Sequence, residues 1–384
     1  MQTWVFCGCD AGCAVLHSGV VLNYNPLSKK EHSRPEVKKE GVILLKTELG
    51  FENMGVLNPA VLQEGADVHV FYRAVRTGNY STIGYCRLDG PLTLAERSHT
   101  PVLFPQHPFE SQGVEDPRIV RIDDLYYLTY TGYDGVNALG ALAVSADLRH
   151  FEKRGVLVPE ISYDDFIRLA QSQNPLNDKY ERYNGHHSAL NRFDEKVLLW
   201  DKNVLFFPRR IQGKLYFLHR IKPDIQIVAV QELHELTREF WEQYFLHFQD
   251  HILLEPRYRH EVSYIGGGCP PIETDQGWLL IYHGVHDTPG GYRYVACAAL
   301  LDLNDPYKET ARLPYALFSP EYDYELTGEV NNVCFPTGAA LFGDTLYIYY
   351  GAADEQIACA SVSLSALLAE LMLNKTEDAK QRQP

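Results

Sequence analysis

One phrase recurs five times in this chain and restricts its fold more than any other feature: a proline-containing lead-in, a polar turn, then an alternating apolar strand ending in an aromatic or basic residue. The copies run from Asn58-Pro59 into VHVFYRAV (68–75), Asp116-Pro117 into LYYLTYTGYDG (125–135), Phe207-Pro208 into GKLYFLHR (213–220), Pro270-Pro271 into GWLLIYHGV (277–285) and Phe335-Pro336 into DTLYIYYGAAD (344–354). Aligned on these strands, Arg73, Tyr130, His219, His283 and Tyr350 fall in one column. A second short apolar strand follows each copy: TIGYCRL (82–88), GALAVSA (140–146), IQIVAV (225–230), YVACAALLDL (294–303) and IACASVSL (357–364). Several short strands per unit, with a period of two and no helix recurring in every unit, predict an all-β, five-bladed β-propeller over a solenoid.

With 384 residues, 45% apolar and 12% aromatic, the chain can bury one large core. Its 35 basic against 50 acidic residues give a net charge of −15, which argues against nucleic acid or an anionic membrane as partner. No apolar run approaches the roughly 20 residues of a membrane-spanning helix. Cys7, Cys9 and Cys13 crowd the start without a fourth ligand at a zinc spacing and without the basic start of a secretory signal. Cys86, Cys269, Cys297, Cys334 and Cys359 lie in strand-like contexts, as expected of buried reduced thiols in a cytoplasmic protein. The expected organisation is an N-terminal extension over 1–36, loosely ordered, one propeller over 37–374, and a solvated tail over 375–384.

Two stretches break the rhythm. The first, from Ser162 to Lys202, predicts a helix and a long loop between the second and third blades, with Tyr180, Tyr183, His186 and His187 able to shape an adjoining site. The adjacent His186-His187 pair lacks an acidic partner at a ligand spacing, and no metal site is expected. The second, LHELTREFWEQYFLHF (233–248), spaces its apolar residues as a helix does and is expected to pack on a blade edge. Its aromatics also leave a homo-oligomeric contact open. SLSALLAELML (363–373) predicts a short closing helix.

In a propeller the innermost strands converge on the axis, so side chains at equivalent places in several blades meet. Those places carry Asn58, Arg73, Asp116, Arg118, Lys202, Arg220, His283 and Asp354, a set suited to a polyhydroxyl or anionic ligand. Taken alone, Asp116-Pro117 also reads as a turn, and Tyr130 and Asp134 as core or turn residues.

Asn58-Pro with Tyr72-Arg73, Glu115-Asp116-Pro-Arg118, Lys202 before LFFP, LHR ending at Arg220, GGGCPPIETDQGWLLIYHG with His283, Tyr294, LLDLNDP (300–306), NNVCFPTGA (331–339) and YYGAAD ending at Asp354 resemble the five-bladed β-mannoside phosphorylases, from about Gly41 to Leu368. The resemblance implies inverting phosphorolysis of a β-mannosidic bond, giving α-mannose 1-phosphate and a shortened acceptor. It puts Asp116 at the position of the general acid and Lys202, Arg220, His283 and Tyr294 at the phosphate-binding positions. Asn58, Arg73, Arg118 and Asp354 are the candidates for the mannose side. Inorganic phosphate is then a co-substrate, and no cofactor is implied. A hydrolase of the same bond, with Glu273 or Glu329 activating water, and a silent carbohydrate-binding propeller stay open, because a fold does not fix a reaction.

Overall fold

A computed structural model describes residues 34–185 and 197–376; Cys7, Cys9, Cys13, His186 and His187 lie outside them. Its strands form five successive antiparallel meanders of four. The first unit is Gly55–Glu64, Asp67–Arg76, Tyr80–Asp89 and Thr93–Arg97, and the second Gly113–Ile122, Leu125–Tyr133, Ala138–Ser145 and Glu152–Val156. A single parallel bridge, Ser81 to Gly113, joins these two units. The third is Lys202–Phe206, Leu215–Arg220, Ile225–Val230 and Ile252–Leu254. In the fourth, two short strands, Tyr264–Gly267 and Ile272–Thr274, share the innermost place before Gly277–Thr288, Gly291–Leu301 and Glu309–Arg312. The fifth combines Cys334–Phe342, Thr345–Ala352 and Gln356–Ser363 with Val37–Leu44, which pairs antiparallel with Gln356–Ser363. The first strands of units one to four pack in chain order, and that of the fifth lies against both the fourth unit and the first, which closes a ring. This agrees with the five expected blades.

Three of the five proline lead-ins, Asn58-Pro59, Asp116-Pro117 and Phe335-Pro336, lie within strands and are not turns. Asn58-Pro59 and Asp116-Pro117 sit inside the innermost strands, where the register shifts between Leu57 and Ala60 and between Glu115 and Arg118. A third shift, between Lys202 and Leu205, falls at Asn203. Asn58, Asp116 and Asn203 have φ of 50°, 48° and 56°. A bulge residue in this left-handed region needs a short polar side chain when it is not glycine, and a proline after it removes a donor that the interrupted ladder does not use.

Opposite the innermost-strand bulges stand Tyr72, Tyr130, His219 and Tyr350, and in the fourth unit Tyr282 pairs with Gly267, where the first of the two short strands ends. The expected column was therefore out by one residue at Arg73 and His283, and in a strand a shift of one moves a side chain to the other face. The true column is buried and meets a carboxylate in each unit. Tyr72 donates to Glu52 at 2.8 Å, Tyr350 to Glu325 at 2.5 Å and Tyr282 to Glu261, while Glu110 lies beside the Tyr130 hydroxyl. In the third unit His219 Nδ1 is 2.8 Å from Asp201 and its Nε2 2.8 Å from the Tyr244 hydroxyl. A cation from the outermost strand completes four of these clusters: Arg97 on Glu52, Lys153 on Glu110, Arg312 on Glu261 and Lys39 on Glu325. Glu110, Glu261 and Glu325 also accept from backbone N–H groups at the start of their own helical turns. Four inter-blade corners thus hold an ionic staple, and the third unit holds the Asp201–His219–Tyr244 chain in its place.

The excursion forms two short helices, Tyr163–Ala170 and Lys179–Asn184. The 233–248 stretch becomes a helix over Arg238–Leu246, capped by the Thr237 hydroxyl accepting from the Phe240 N–H. It packs against the first of these helices through Phe166, whose ring meets Phe245 at 5.3 Å and Phe248 at 5.1 Å. Trp241, Tyr244, Phe245 and Phe248 are buried and Phe240 half-buried, so these aromatics pack in the core as expected and are not the exposed contact surface that had been left open. The helix Leu364–Leu373 forms where expected. The five strand cysteines are free and buried. Among the described residues no helix is long and apolar enough to cross a membrane.

Candidate active site

The bulges and strand ends open on a cavity of about 160 Å³. Its first wall comes from units one, two and five. Asn58, Asp116 and Asp354 line it with Arg73. Asn58 Nδ2 donates to Asp116 Oδ1 at 2.7 Å. Arg73 Nη2 donates to Glu115 at 2.7 Å, its Nε to Ser81 at 2.9 Å, and its Nη1 stands 3.7 Å from Asp116. Asn58 is admitted by Gly351, where a Cβ would lie 2.1 Å from its Oδ1. Burial raises the proton affinity of Asp116, but the charges of Arg73 and Lys202, the Asn58 amide and Arg118 outweigh it and hold the carboxyl below its ordinary range. Asp354 goes the other way, pushed up to about 6 by burial and by the Asp116 charge. The site therefore holds one committed carboxylate and one that titrates near neutrality.

The second wall belongs to units three and four. Lys202 and Arg220 face each other directly across the first two strands of the third unit. Like charges opposite one another destabilise a strand pair, yet a third cation, Lys222, joins them in the cavity lining. None of the three has a carboxylate within ion-pair distance among the described residues. They rest on aromatic faces instead: Lys202 Nζ is 5.3 Å from the Trp200 ring centre, and Tyr264 lies under both Arg220, at 5.6 Å, and Lys222 Nζ, at 4.1 Å. Arg220 Nε is buried without an acceptor. Burial and the two neighbouring cations push Lys222 down to about 6. The Tyr294 and Tyr264 hydroxyls, 2.5 Å apart, also face the cavity. Such a wall is built to receive an anion.

Seven of the nine expected residues, Asn58, Arg73, Asp116, Lys202, Arg220, Tyr294 and Asp354, line this one cavity. His283 and Arg118 do not. His283 is fully buried and held well below its usual pKa by burial and by the cations around it, so it is neutral. Its Nε2 takes the Arg220 Nη1 donor at 3.3 Å, which orients the guanidinium. Gly266 makes that possible, since a Cβ there would lie 2.5 Å from the imidazole and 2.9 Å from Arg220 Cδ. Arg118, expected on the mannose side, instead donates to the carbonyls of Asp116 at 3.1 Å, Pro117 at 2.9 Å and Gly268 at 2.5 Å. It braces the bulge that presents Asp116. Tyr130 and Asp134 are core and turn residues, Asp134 accepting from the N–H groups of Val136 and Asn137.

Lys222, Asn203 and Trp200 were missed. Asn203 carries the same left-handed bulge as Asn58 and Asp116, and both its side-chain polar atoms are buried without a protein partner. Its signal was an Asx residue just ahead of the third copy, hidden because Val204 follows it where proline follows Asn58 and Asp116. Of the excursion residues, Tyr180 is buried and donates to Asp224, while Tyr183 packs edge-on against Tyr264. Glu273, a candidate base for hydrolysis, is exposed and held by both arms of Arg209 at 2.6 and 2.8 Å, and it lines no part of this cavity. One trio of potential metal ligands lies together among the described residues, His260, Glu261 and Cys297. Glu261 is already engaged by Tyr282, Arg312 and the Arg257 N–H, which leaves a cation no free carboxylate there.

The comparisons with known proteins agree with this geometry. A family model described as beta-1,4-mannooligosaccharide phosphorylase, that of glycoside hydrolase family 130, matches residues 29–372. The chain is 34% identical over 326 residues to the beta-1,2-mannobiose phosphorylase of Thermoanaerobacter sp. (strain X514), covering 81% of this chain and 91% of that one. It is 31% identical over 337 residues to the 1,2-beta-oligomannan phosphorylase of the same organism, covering 84% and 95%. The solved beta-1,2-mannobiose phosphorylase of Listeria innocua, bound to beta-1,2-mannobiose, shares the fold with a TM-score of 0.66 at 23% identity, over 88% of this chain and 100% of that one. Motifs spread over all five units, the ring of meanders and a match along most of the chain place this protein in glycoside hydrolase family 130, the β-mannoside phosphorylases.

Proposed function

We propose that the protein cleaves a β-1,2-mannosidic bond with inorganic phosphate, inverting the anomeric centre to release α-mannose 1-phosphate and a shortened sugar. One observation carries the reading: Lys202, Arg220 and Lys222 converge on one cavity wall with no carboxylate at ion-pair distance among the described residues, facing a wall that holds Asp116. A hydrolase would not need three basic side chains gathered without a paired carboxylate beside its sugar. The linkage follows the two Thermoanaerobacter relatives, which match over most of their length and are named for 1,2-linked substrates.

In this mechanism phosphate sits against Lys202 and Arg220, with His283 fixing the guanidinium, and a phosphate oxygen attacks the anomeric carbon. The bond from that carbon to the leaving oxygen breaks on the opposite face, and Asp116 delivers the proton to that oxygen. The phosphate is already an anion, so no second carboxylate has to activate water, and no cofactor enters. The cations around Asp116 keep it ionised, but an arriving phosphate dianion cancels that positive field, and burial by the sugar acts in the same direction. Asn58, Arg73 and Asp354 hold mannose hydroxyls.

The test is product analysis with β-1,2- and β-1,4-mannobiose, with and without phosphate. Mannose 1-phosphate formed from the 1,2-linked sugar only when phosphate is present is the expected result. Free mannose released at a rate indifferent to phosphate would overturn the reading in favour of hydrolysis, since this family also contains glycoside hydrolases that target β-1,2-mannosidic linkages, and would single out Glu329.

A further inference from the structure

The Lys179–Asn184 helix of the excursion is tied to one short piece of chain, residues 221–224, which joins the second and third strands of the third unit and carries Lys222. The buried Asn184 spans helix and turn with one amide, its Nδ2 donating to the Tyr180 carbonyl and to the Lys222 carbonyl, each at 2.8 Å. Beyond Lys222, the buried Tyr180 hydroxyl donates to Asp224 at 2.5 Å and accepts from Gln226 Nε2 at 3.3 Å. Gln226 also clamps the start of the turn, accepting from the Ile221 N–H at 2.7 Å and donating to its carbonyl at 3.0 Å. The Pro223 carbonyl accepts from the Ile265 N–H at 2.9 Å. Tyr183 sets its edge against Tyr264 at 5.4 Å, the same ring on which the Lys222 ammonium rests at 4.1 Å.

A short connection between two paired strands holds its register without help from a separate helix. Here buried polar groups from an earlier part of the chain grip the turn on both sides of Lys222. The reason lies in what Lys222 would otherwise do. A lysine is long and flexible, and one crowded by two like charges relaxes by swinging its ammonium out to water. A fixed backbone at 222 and a fixed ring beneath the ammonium oppose that motion. Neither Asn184 nor Tyr180 lines the cavity, so any effect they have on a ligand passes through Lys222. We infer that Asn184 and Tyr180 are positioning residues for phosphate, holding the Lys222 ammonium in the cavity as a third contact to the anion beside Lys202 and Arg220. This rests on the phosphorolysis reading and gives the excursion a task on the cation wall.

Calorimetric titration of inorganic phosphate into the full chain at about pH 6, without sugar, reads the anion site in the absence of turnover. Lys222→Met and Asn184→Ala should each weaken phosphate binding at least about threefold, and the double variant should bind no more weakly than Lys222→Met alone, because groups that act through one another do not add. In turnover, Asn184→Ala should raise KM for phosphate by a similar factor while KM for β-1,2-mannobiose changes less than about twofold. A general loosening of the fold would not give that split. Since Asn184 is buried, Tyr180→Phe serves as a second variant: it deletes one hydroxyl, keeps the ring packed on Phe166, and should lose phosphate affinity in the same direction. Losses that multiply when combined with Lys222→Met, or phosphate affinities of both single variants indistinguishable from wild type, would overturn the inference. Wild-type protein that takes up no phosphate in this titration would instead sink the anion wall and the phosphorolysis reading built on it.

Discussion

Buried charge is handled in two opposite ways in this molecule. At the inter-blade corners every buried cation has its carboxylate: Lys39 with Glu325, Lys153 with Glu110, Arg97 with Glu52, Arg312 with Glu261 and Glu309. On the axis Lys202, Arg220 and Lys222 are crowded together on aromatic faces, with no carboxylate at ion-pair distance among the described residues. Removing a charge from water is costly unless a partner compensates. The staples meet that condition within the protein; the cavity leaves it to a ligand. Ion content alone does not mark the site in an acidic protein of net charge −15, whereas the missing partners do.

The comparison can be broken at its strongest point first. Asp116→Asn keeps the shape of the bulge and the Asn58 contact region but has no proton to give, so kcat should fall by about 10² to 10⁴ with a circular dichroism spectrum like that of wild type. An unchanged rate would remove Asp116 from the mechanism. Next comes a staple: Glu325→Ala strands Lys39 beside Tyr350, and loss of one partner of a buried pair costs about 3–5 kcal/mol, read by urea denaturation. Arg220→Ala is the counter-case. It relieves repulsion with Lys202, so stability should hold or rise while KM for phosphate increases about tenfold to a hundredfold, as a charged hydrogen bond predicts. Equal increases in KM for phosphate and for sugar would contradict the anion wall.

Lys222 gives a smaller, pH-dependent effect. Its pKa of about 6 in the folded protein lies below the 10.5 of an exposed lysine, so between those values the unfolded chain carries a proton that the folded one lacks. Stability contributed through this group therefore rises with pH across that window. Phosphate favours the protonated form, so its affinity through Lys222 weakens as pH climbs above 6. Comparing wild type with Lys222→Met, which cancels the titration of phosphate itself, should show a KM difference of a few fold at pH 6 that shrinks by pH 8. A constant ratio would mean that Lys222 does not titrate there. Smallest is Tyr350→Phe, which removes one of several groups on Glu325 and should cost about 1 kcal/mol.

Much of this was readable from the chain. The repeated phrase located the second strand of every unit, and Asp116, Lys202, Arg220 and Asp354 stood out as polar groups where a core strand should end. What escaped were features set by distance in space. Nothing local in VKKEGVIL says that Val37–Leu44 will be the outermost strand of the last unit, because its partner Gln356–Ser363 lies at the other end of the fold. The one-residue error at Arg73 and His283 arose because the column is set by pairing with the innermost strands, which the sequence of the second strand alone does not show. Arg118 read as a sugar ligand because sequence shows its charge but not the three carbonyls that claim its donors. Lys222 looked like an ordinary loop lysine until Tyr264 and Arg220 were placed around it.

The pairing of Val37–Leu44 with Gln356–Ser363 has a consequence for synthesis. A chain leaving the ribosome makes its early meanders one at a time, each from local contacts, but it cannot close the circle until almost the last strand emerges. Asp354 arrives only then, so the cavity stays incomplete until the fifth unit has been made. Closing so long a loop is entropically the most demanding step and the one with the least local help. The same seam is where the finished ring is easiest to open: cutting ahead of Gly55 would release the strand that covers the last blade and leave its edge unpaired.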